Sequence, residues 1–191
     1  MLRFLRSLIQ RDARRDHRHA LLRSLPRNAV CAEIGVWKGD FSRRILAVTR
    51  PRKLHLIDPW QFRGELPDRW YGGVLAKRQS DMDAIYDDVT RTLGDKTIIH
   101  RGTSEEVLRT MADSYFDWIY IDGDHGYEGM LSDLELGWQK VRAGGYIAGD
   151  DFNWGKRQGF PVKRAVEEFL EKHDVADQLT MFGNQFRIRV T

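Results

Sequence analysis

A chain of 191 residues, 41% apolar and 31% charged, has room for one domain with a sizeable core, and no apolar run approaches the ~20 residues of a bilayer span. A single cysteine, Cys31, excludes an intrachain disulfide and fits a reducing, cytoplasmic setting. The formal net charge of +3 is lopsided: residues 1–28 carry eight arginines against Asp12 and Asp16 (+6), which leaves the rest of the chain at −3 and argues against a nucleic-acid-binding body.

The chain opens on MLRFLRSLIQRDARR, which interleaves arginine with leucine and lacks the unbroken apolar stretch of a secretory signal. Leu2, Leu5 and Ile9 share a helical face with Phe4 and Leu8, and arginines take the opposite side. Residues 1–28 are therefore expected to form a basic amphipathic segment that packs on its own domain or on a second copy in a homo-oligomer. Weak association with an anionic membrane surface, or with nucleic acid, is the competing expectation for this segment. Residues 29–191 form the domain proper.

From Asn28 onward, short apolar runs alternate with helical stretches. AVCAEIG is a strand and GDFSRRILAVT a helix, and KLHLIDPW is the second strand. After a loop rich in Trp, Tyr and Gly comes SDMDAIYDDVTRTLGD, a helix, then TIIHRGT, a third strand, and SEEVLRTM, a short helix. FDWIYIDGDH is the fourth strand, followed by GMLSDLELGWQKVRAGG, a helix for which a glycine C-cap is expected. YIAGDDF is the fifth strand, and PVKRAVEEFLEKH is a helix opened by proline. QLTMFGNQFRIRV contains two further strands around a Gly183–Asn184 turn. The pattern predicts an α/β fold: a seven-stranded, mostly parallel sheet with helices on both faces and an antiparallel C-terminal hairpin strand.

In such sheets ligands bind beyond the carboxyl ends of the strands. Those ends read Glu33-Ile34-Gly35, Asp58, Gly102-Thr103-Ser104, Asp122-Gly123-Asp124-His125 and Asp150-Asp151, so the polar chemistry falls on one edge. In EIGVWKG, Gly35 allows a tight turn and Gly39 a close helix start. Glu33, before the turn, would repel a pyrophosphate and suits a cationic or amino-bearing ligand. Asp58 stands where a carboxylate commonly accepts hydrogen bonds from ribose hydroxyls. Together they favour S-adenosylmethionine over a nicotinamide dinucleotide.

Asp122, Asp150 and Asp151 would crowd at two neighbouring strand ends and repel one another unless a cation joins them. Mg²⁺ prefers oxygen ligands and leaves places for the oxygens of a diol. His125, three residues past Asp122, is the candidate base for the acceptor hydroxyl.

These segments resemble the class I S-adenosylmethionine-dependent methyltransferases, and more narrowly the metal-dependent macrocin-type sugar O-methyltransferases. The segments that carry the resemblance are AEIGVWKGDFS, LHLIDPW, HRGTSEEVL, FDWIYIDGDHGYEGMLSDLELGWQKVRAGGYIAGDDF and FPVKRAVEEF, most of residues 30–170. The resemblance implies a Rossmann-like fold in which Glu33, Gly35, Gly39 and Asp58 hold the cofactor and Ser104 lies near the adenine. It also implies that Asp122 borders both cofactor and metal, that Asp122, Asp150 and Asp151 bind Mg²⁺, and that His125 is the base. The expected acceptor is a hydroxyl of a sugar or other small molecule. Trp60, Trp70, Tyr71 and Trp154, in the two aromatic loops after strand ends, are candidates to stack on it. Two rival readings are a metal-independent methyltransferase acting on another nucleophile, and a non-catalytic binding domain worked through its basic N-terminus.

Overall fold

The computed structural model describes residues 16–191. The helical face expected of Leu2, Leu5 and Ile9 falls on residues outside those described. Among the described residues the helices are α1 (16–24), α2 (Asp40–Thr49), α3 (Gln79–Leu93), α4 (Ser104–Leu108), α5 (Tyr127–Lys140) and α6 (Pro161–His173). The strands are β1 (Val30–Ile34), β2 (Lys53–Asp58), β3 (Ile98–Arg101), β4 (Phe116–Ile121), β5 (Val141–Gly149), β6 (Leu179–Phe182) and β7 (Gln185–Arg189). They form one sheet in the order β3-β2-β1-β4-β5-β7-β6. β1 to β5 run parallel, and β7 lies antiparallel to both β5 and β6. This is the expected mostly parallel, Rossmann-like sheet closed by an antiparallel hairpin.

The period-two alternation of the central strands sorts their side chains onto two cores. Cys31, Leu54, Leu56, Trp118 and Tyr120 face one side, where they meet Leu21, Leu22 and Leu25 of the N-terminal segment, Ile45 of α2 and Val89 of α3. Ala32, Ile34, Ile119, Ile121 and Ile147 face the other, against Met130 and Leu134 of α5 and Val166 and Phe169 of α6. All five residues of β1 are buried, as both-face coverage demands. Each fully buried leucine of the N-terminal segment contributes on the order of 2 kcal/mol through removal from water, so α1 is an integral part of the first core.

The strand order reverses at β1, which has β2 on one side and β4 on the other. That reversal opens a crevice at the carboxyl ends of β1 and β4. Gly35 makes the crevice tight: its φ is +85°, and a Cβ there would lie 2.2 Å from the Asp122 carbonyl oxygen.

One element differs from expectation. α5 ends at Lys140, and β5 begins at once with Val141, whose backbone is extended. The Ala143-Gly144-Gly145 stretch is thus a break inside the strand rather than a helix C-cap. The register slips there, from Phe116↔Val141 to Trp118↔Tyr146. Gly144, at φ +78°, makes the slip possible, and a Cβ on Gly145 would sit 2.5 Å from the Asp117 carbonyl oxygen. Lys140 anchors the helix end, its Nζ donating to Asp113 at 2.6 Å.

Candidate active site

The glycine turn after β1 is clamped by the end of β2. The Asp58 carboxylate accepts from the backbone N–H groups of Val36 (3.0 Å), Trp37 (2.9 Å) and Trp60 (2.7 Å). Burial raises its pKa against these three donors. Gly39 is the N-cap of α2 at φ +73° and packs on Leu93 of α3. Glu33 is buried to 1% exposure and accepts a hydrogen bond from the Ser42 hydroxyl of α2. Burial pushes its pKa up to about 8, against the Ser42 hydrogen bond. Near neutrality burial thus favours the neutral acid, against the negative charge that the sequence suggested before the turn.

Ser104 is the first residue of α4, which is opened by a capping box between Thr103 and Glu106. The Ser104 side chain also bonds to Asp133 of α5, a buried acid whose pKa burial pushes up to about 7. It thereby ties the wall of the crevice beyond β3 to the helix that follows β4.

The ends of β4 and β5 carry the charged cluster. The Asp122 N–H bonds to the Ile34 carbonyl at 2.8 Å, and the Asp150 N–H to the Ile121 carbonyl at 3.1 Å, so the ladder extends one residue past each strand. His125 Nε2 stands 3.4 Å from Asp122 Oδ1 and 3.4 Å from Asp151 Oδ2. Burial works against its protonation, but the hydrogen bond to Asp122 and the charges of Asp122 and Asp151 prevail, and its pKa is raised. Asp151 takes the left-handed region at φ +57°, an uncommon backbone state for a non-glycine residue. Its Oδ1 accepts from Asn184 of the C-terminal hairpin at 3.2 Å.

Asp122, His125 and Asp151 each offer a ligand atom, and these atoms lie within 4.8 Å of one another. Asp150, the third carboxylate expected to bind Mg²⁺, is elsewhere. Its side chain is fully buried and accepts from Gln185 Nε2 and from the Asp151 N–H (2.7 Å). It also accepts from Arg18 of α1, through Nε at 3.0 Å and through Nη2. The same Arg18 Nη2 donates to Asp122 Oδ2 at 2.7 Å. The three-aspartate set thus does not fit Mg²⁺ as it is arranged: a guanidinium lies between two of its members. The trio that does converge mixes two oxygens with one nitrogen, a donor set Mg²⁺ does not favour.

Arg18, Gln185 and Asn184 were not identified from the sequence. The one signal for Arg18 was the surplus of arginines in a segment with two acids, set against unpaired acids at the sheet edge.

Above the cluster, Trp154 faces the His125 ring at a centroid distance of 5.3 Å, and the Arg69 guanidinium lies over Trp154 at 4.5 Å. The two aromatic loops therefore meet at the site. Trp70 is 60% exposed and lies 6.2 Å from Trp37 of the glycine turn. Trp60, by contrast, is a core residue with 0% exposure, its Nε1 donating to the Trp37 carbonyl at 2.9 Å. It cannot stack on an acceptor. Tyr71 is half-buried.

A family model described as a methyltransferase domain matches residues 32–152, the span that holds the glycine turn, Asp58, His125 and the acidic strand ends. Arg18 and Gln185 lie outside it. A demethyldecarbamoylnovobiocin O-methyltransferase of Streptomyces niveus is 28% identical over an alignment of 162 positions that covers 77% of this chain and 60% of that protein. The chain thus spans about three fifths of that curated relative's length. The solved O-methyltransferase NovP superposes at a TM-score of 0.58 with 22% identity, covering 95% of this chain and 78% of NovP. The O-methyltransferase TomG of Streptomyces achromogenes, solved with S-adenosylmethionine, gives 0.59 with 15% identity, over 91% of this chain and 78% of its own. With its Rossmann-like sheet and a match across most of its length, the chain belongs to the methyltransferase-domain family.

Proposed function

We propose that this protein is an S-adenosylmethionine-dependent O-methyltransferase acting on a hydroxyl of a small molecule. The observation that carries the reading is the position of the His125 imidazole between Asp122 and Asp151, 3.4 Å from each, at the edge where the Gly35 turn opens. O-methyltransferase relatives and a neighbour that binds S-adenosylmethionine support it. The Gly35 turn would seat the cofactor, with Asp58 holding that turn in shape and Ser104 fixing the far wall. The sulfonium is a strong electrophile, so the protein's work is to align the acceptor and take its proton. The acceptor oxygen attacks the methyl carbon, the carbon–sulfur bond breaks to leave S-adenosylhomocysteine, and the hydroxyl proton passes to His125 Nδ1, the ring nitrogen not turned to the two carboxylates. Asp122 and Asp151 stabilise the imidazolium so formed. Trp154, with Arg69 stacked on it, forms the wall nearest the acceptor and excludes water.

No step runs through Mg²⁺ here. A divalent ion at Asp122, Asp151 and His125 would need the Nε2 lone pair, and that nitrogen carries the proton it donates toward the two carboxylates. Two measurements test the proposal. S-adenosylhomocysteine is expected to raise the unfolding midpoint of the full chain while NAD does not, because only a ligand of the folded state stabilises it. With a panel of diol and phenol acceptors, methyl transfer is expected to persist in EDTA. Absence of any shift with S-adenosylhomocysteine at concentrations well above micromolar refutes the cofactor assignment. Loss of turnover in EDTA, restored by Mg²⁺, refutes the ion-free course.

A further inference from the structure

The acid cluster already has a cation. Arg18 projects from α1, whose neighbouring residues Leu21, Leu22 and Leu25 are 0%, 1% and 4% exposed in the core. It is fixed in place by packing, not by charge alone. Its guanidinium lies 4.8 Å from the centre of the Phe41 ring, donates to Asp122 Oδ2 at 2.7 Å, and donates twice to Asp150 Oδ2, one of these at 3.0 Å. Beyond Asp150 the chain of bonds continues: Gln185 donates to Asp150, and the Tyr120 hydroxyl donates to Gln185 Oε1 at 2.7 Å. A planar fork that bridges two carboxylates is what guanidinium chemistry provides and an ammonium does not.

We infer that Arg18 is the resident cation of this edge: it holds the Asp122–Asp150 pair in the place a divalent ion would need, so an ion can join these two carboxylates only by displacing it. Two acids at neighbouring strand ends require a positive charge, and the fold supplies one from a helix that precedes the strand–helix alternation. Asp150 is fully buried, so its charge depends on such a partner. The inference shares its residues with the proposed function but rests on ion pairing, not on methyl transfer.

The experiment needs no substrate. Mn²⁺ binding by the full chain is measured from the loss of the free-ion electron paramagnetic resonance signal, for the wild type, Arg18→Gln and Arg18→Lys, each with its unfolding midpoint. Removing a like charge from beside the ligands should tighten Mn²⁺ binding about tenfold or more in Arg18→Gln. Arg18→Lys keeps the charge but loses the separate Nε and Nη2 donors of the planar guanidinium, and a smaller tightening in the same direction is expected. Mn²⁺ should also raise the midpoint of Arg18→Gln more than that of the wild type. Should Arg18→Gln fail to fold, Arg18→Lys carries the comparison. Wild-type Mn²⁺ affinity in every variant that folds overturns the inference. Binding of S-adenosylhomocysteine by the wild type is read separately and bears on the methyltransferase proposal alone.

Discussion

His125 works, in the proposed reaction, because of what surrounds one nitrogen. Two carboxylates 3.4 Å from Nε2 raise the ring's affinity for a proton, and Trp154 closes one side of the ring. His125→Ala removes the base and leaves the cofactor edge intact. The expected result is a kcat lower by roughly 10²–10⁴ with S-adenosylhomocysteine affinity within a few-fold of wild type, measured by single-turnover kinetics and calorimetry. Equal losses in both would mean that the residue is structural. Gly35 gives a prediction of the opposite kind. A Cβ there meets the Asp122 carbonyl at 2.2 Å with φ at +85°, so Gly35→Ala must push β1 and β4 apart. Cofactor binding should fall together with the unfolding midpoint. Much of this edge could be read from the sequence, because Asp122 and His125 follow closely on the end of β4, and Asp151 on the end of β5, in a simple βα alternation. Asp150 could be placed but not aimed: its direction depends on Arg18 and Gln185, which come from the two ends of the chain. No local pattern joins residue 18 to residue 150.

At the scale of elements, the agreement and the exceptions have physical causes. Strands β1, β2 and β4 were legible as apolar runs because both faces are covered, and α6 because Pro161 starts it. The end of α5 was misread because a double glycine after a helix looks like a C-cap. Here the same flexibility serves the register slip between β4 and β5. Helix α4 has five residues and owes its start to the Thr103–Glu106 capping box. Thr103→Ala should destabilise the protein by about 1 kcal/mol, seen as a lower midpoint in urea with an unchanged slope. The α1 segment makes the larger claim. Leu22 is 1% exposed and belongs to the same core as Leu54 and Trp118. Leu22→Ala should cost about 2–5 kcal/mol in a single cooperative transition. A second, separate transition for α1 would show that the N-terminal segment folds independently of the domain.

The whole molecule carries several ionisable groups that pull its stability in opposite directions with pH. Glu33, raised by burial to about 8, and Asp133, raised by burial to about 7, bind more protons in the folded state than in the unfolded one between ordinary carboxyl values and these limits. Across that window stability must fall as pH rises, because the unfolded chain releases protons that the fold retains. His55 works the other way. It lies 2.9 Å from His100, and burial, with the charges of His100 and Lys53, lowers its pKa to about 4. The unfolded chain takes up that proton below ~6.5, so stability falls as pH drops from there toward 4. The two slopes oppose each other on the acid side, whereas above pH 6.5 only the carboxyl slope of these three groups remains. The expected profile is therefore a steady loss of stability from about pH 6.5 to about 8. Glu33→Gln isolates its source: the amide oxygen still accepts from Ser42, and the group no longer titrates. Urea midpoints measured across this range should fall less steeply for Glu33→Gln than for the wild type. Parallel profiles would mean that Glu33 is ionised in the folded protein, and the negative charge expected before the Gly35 turn would then be restored.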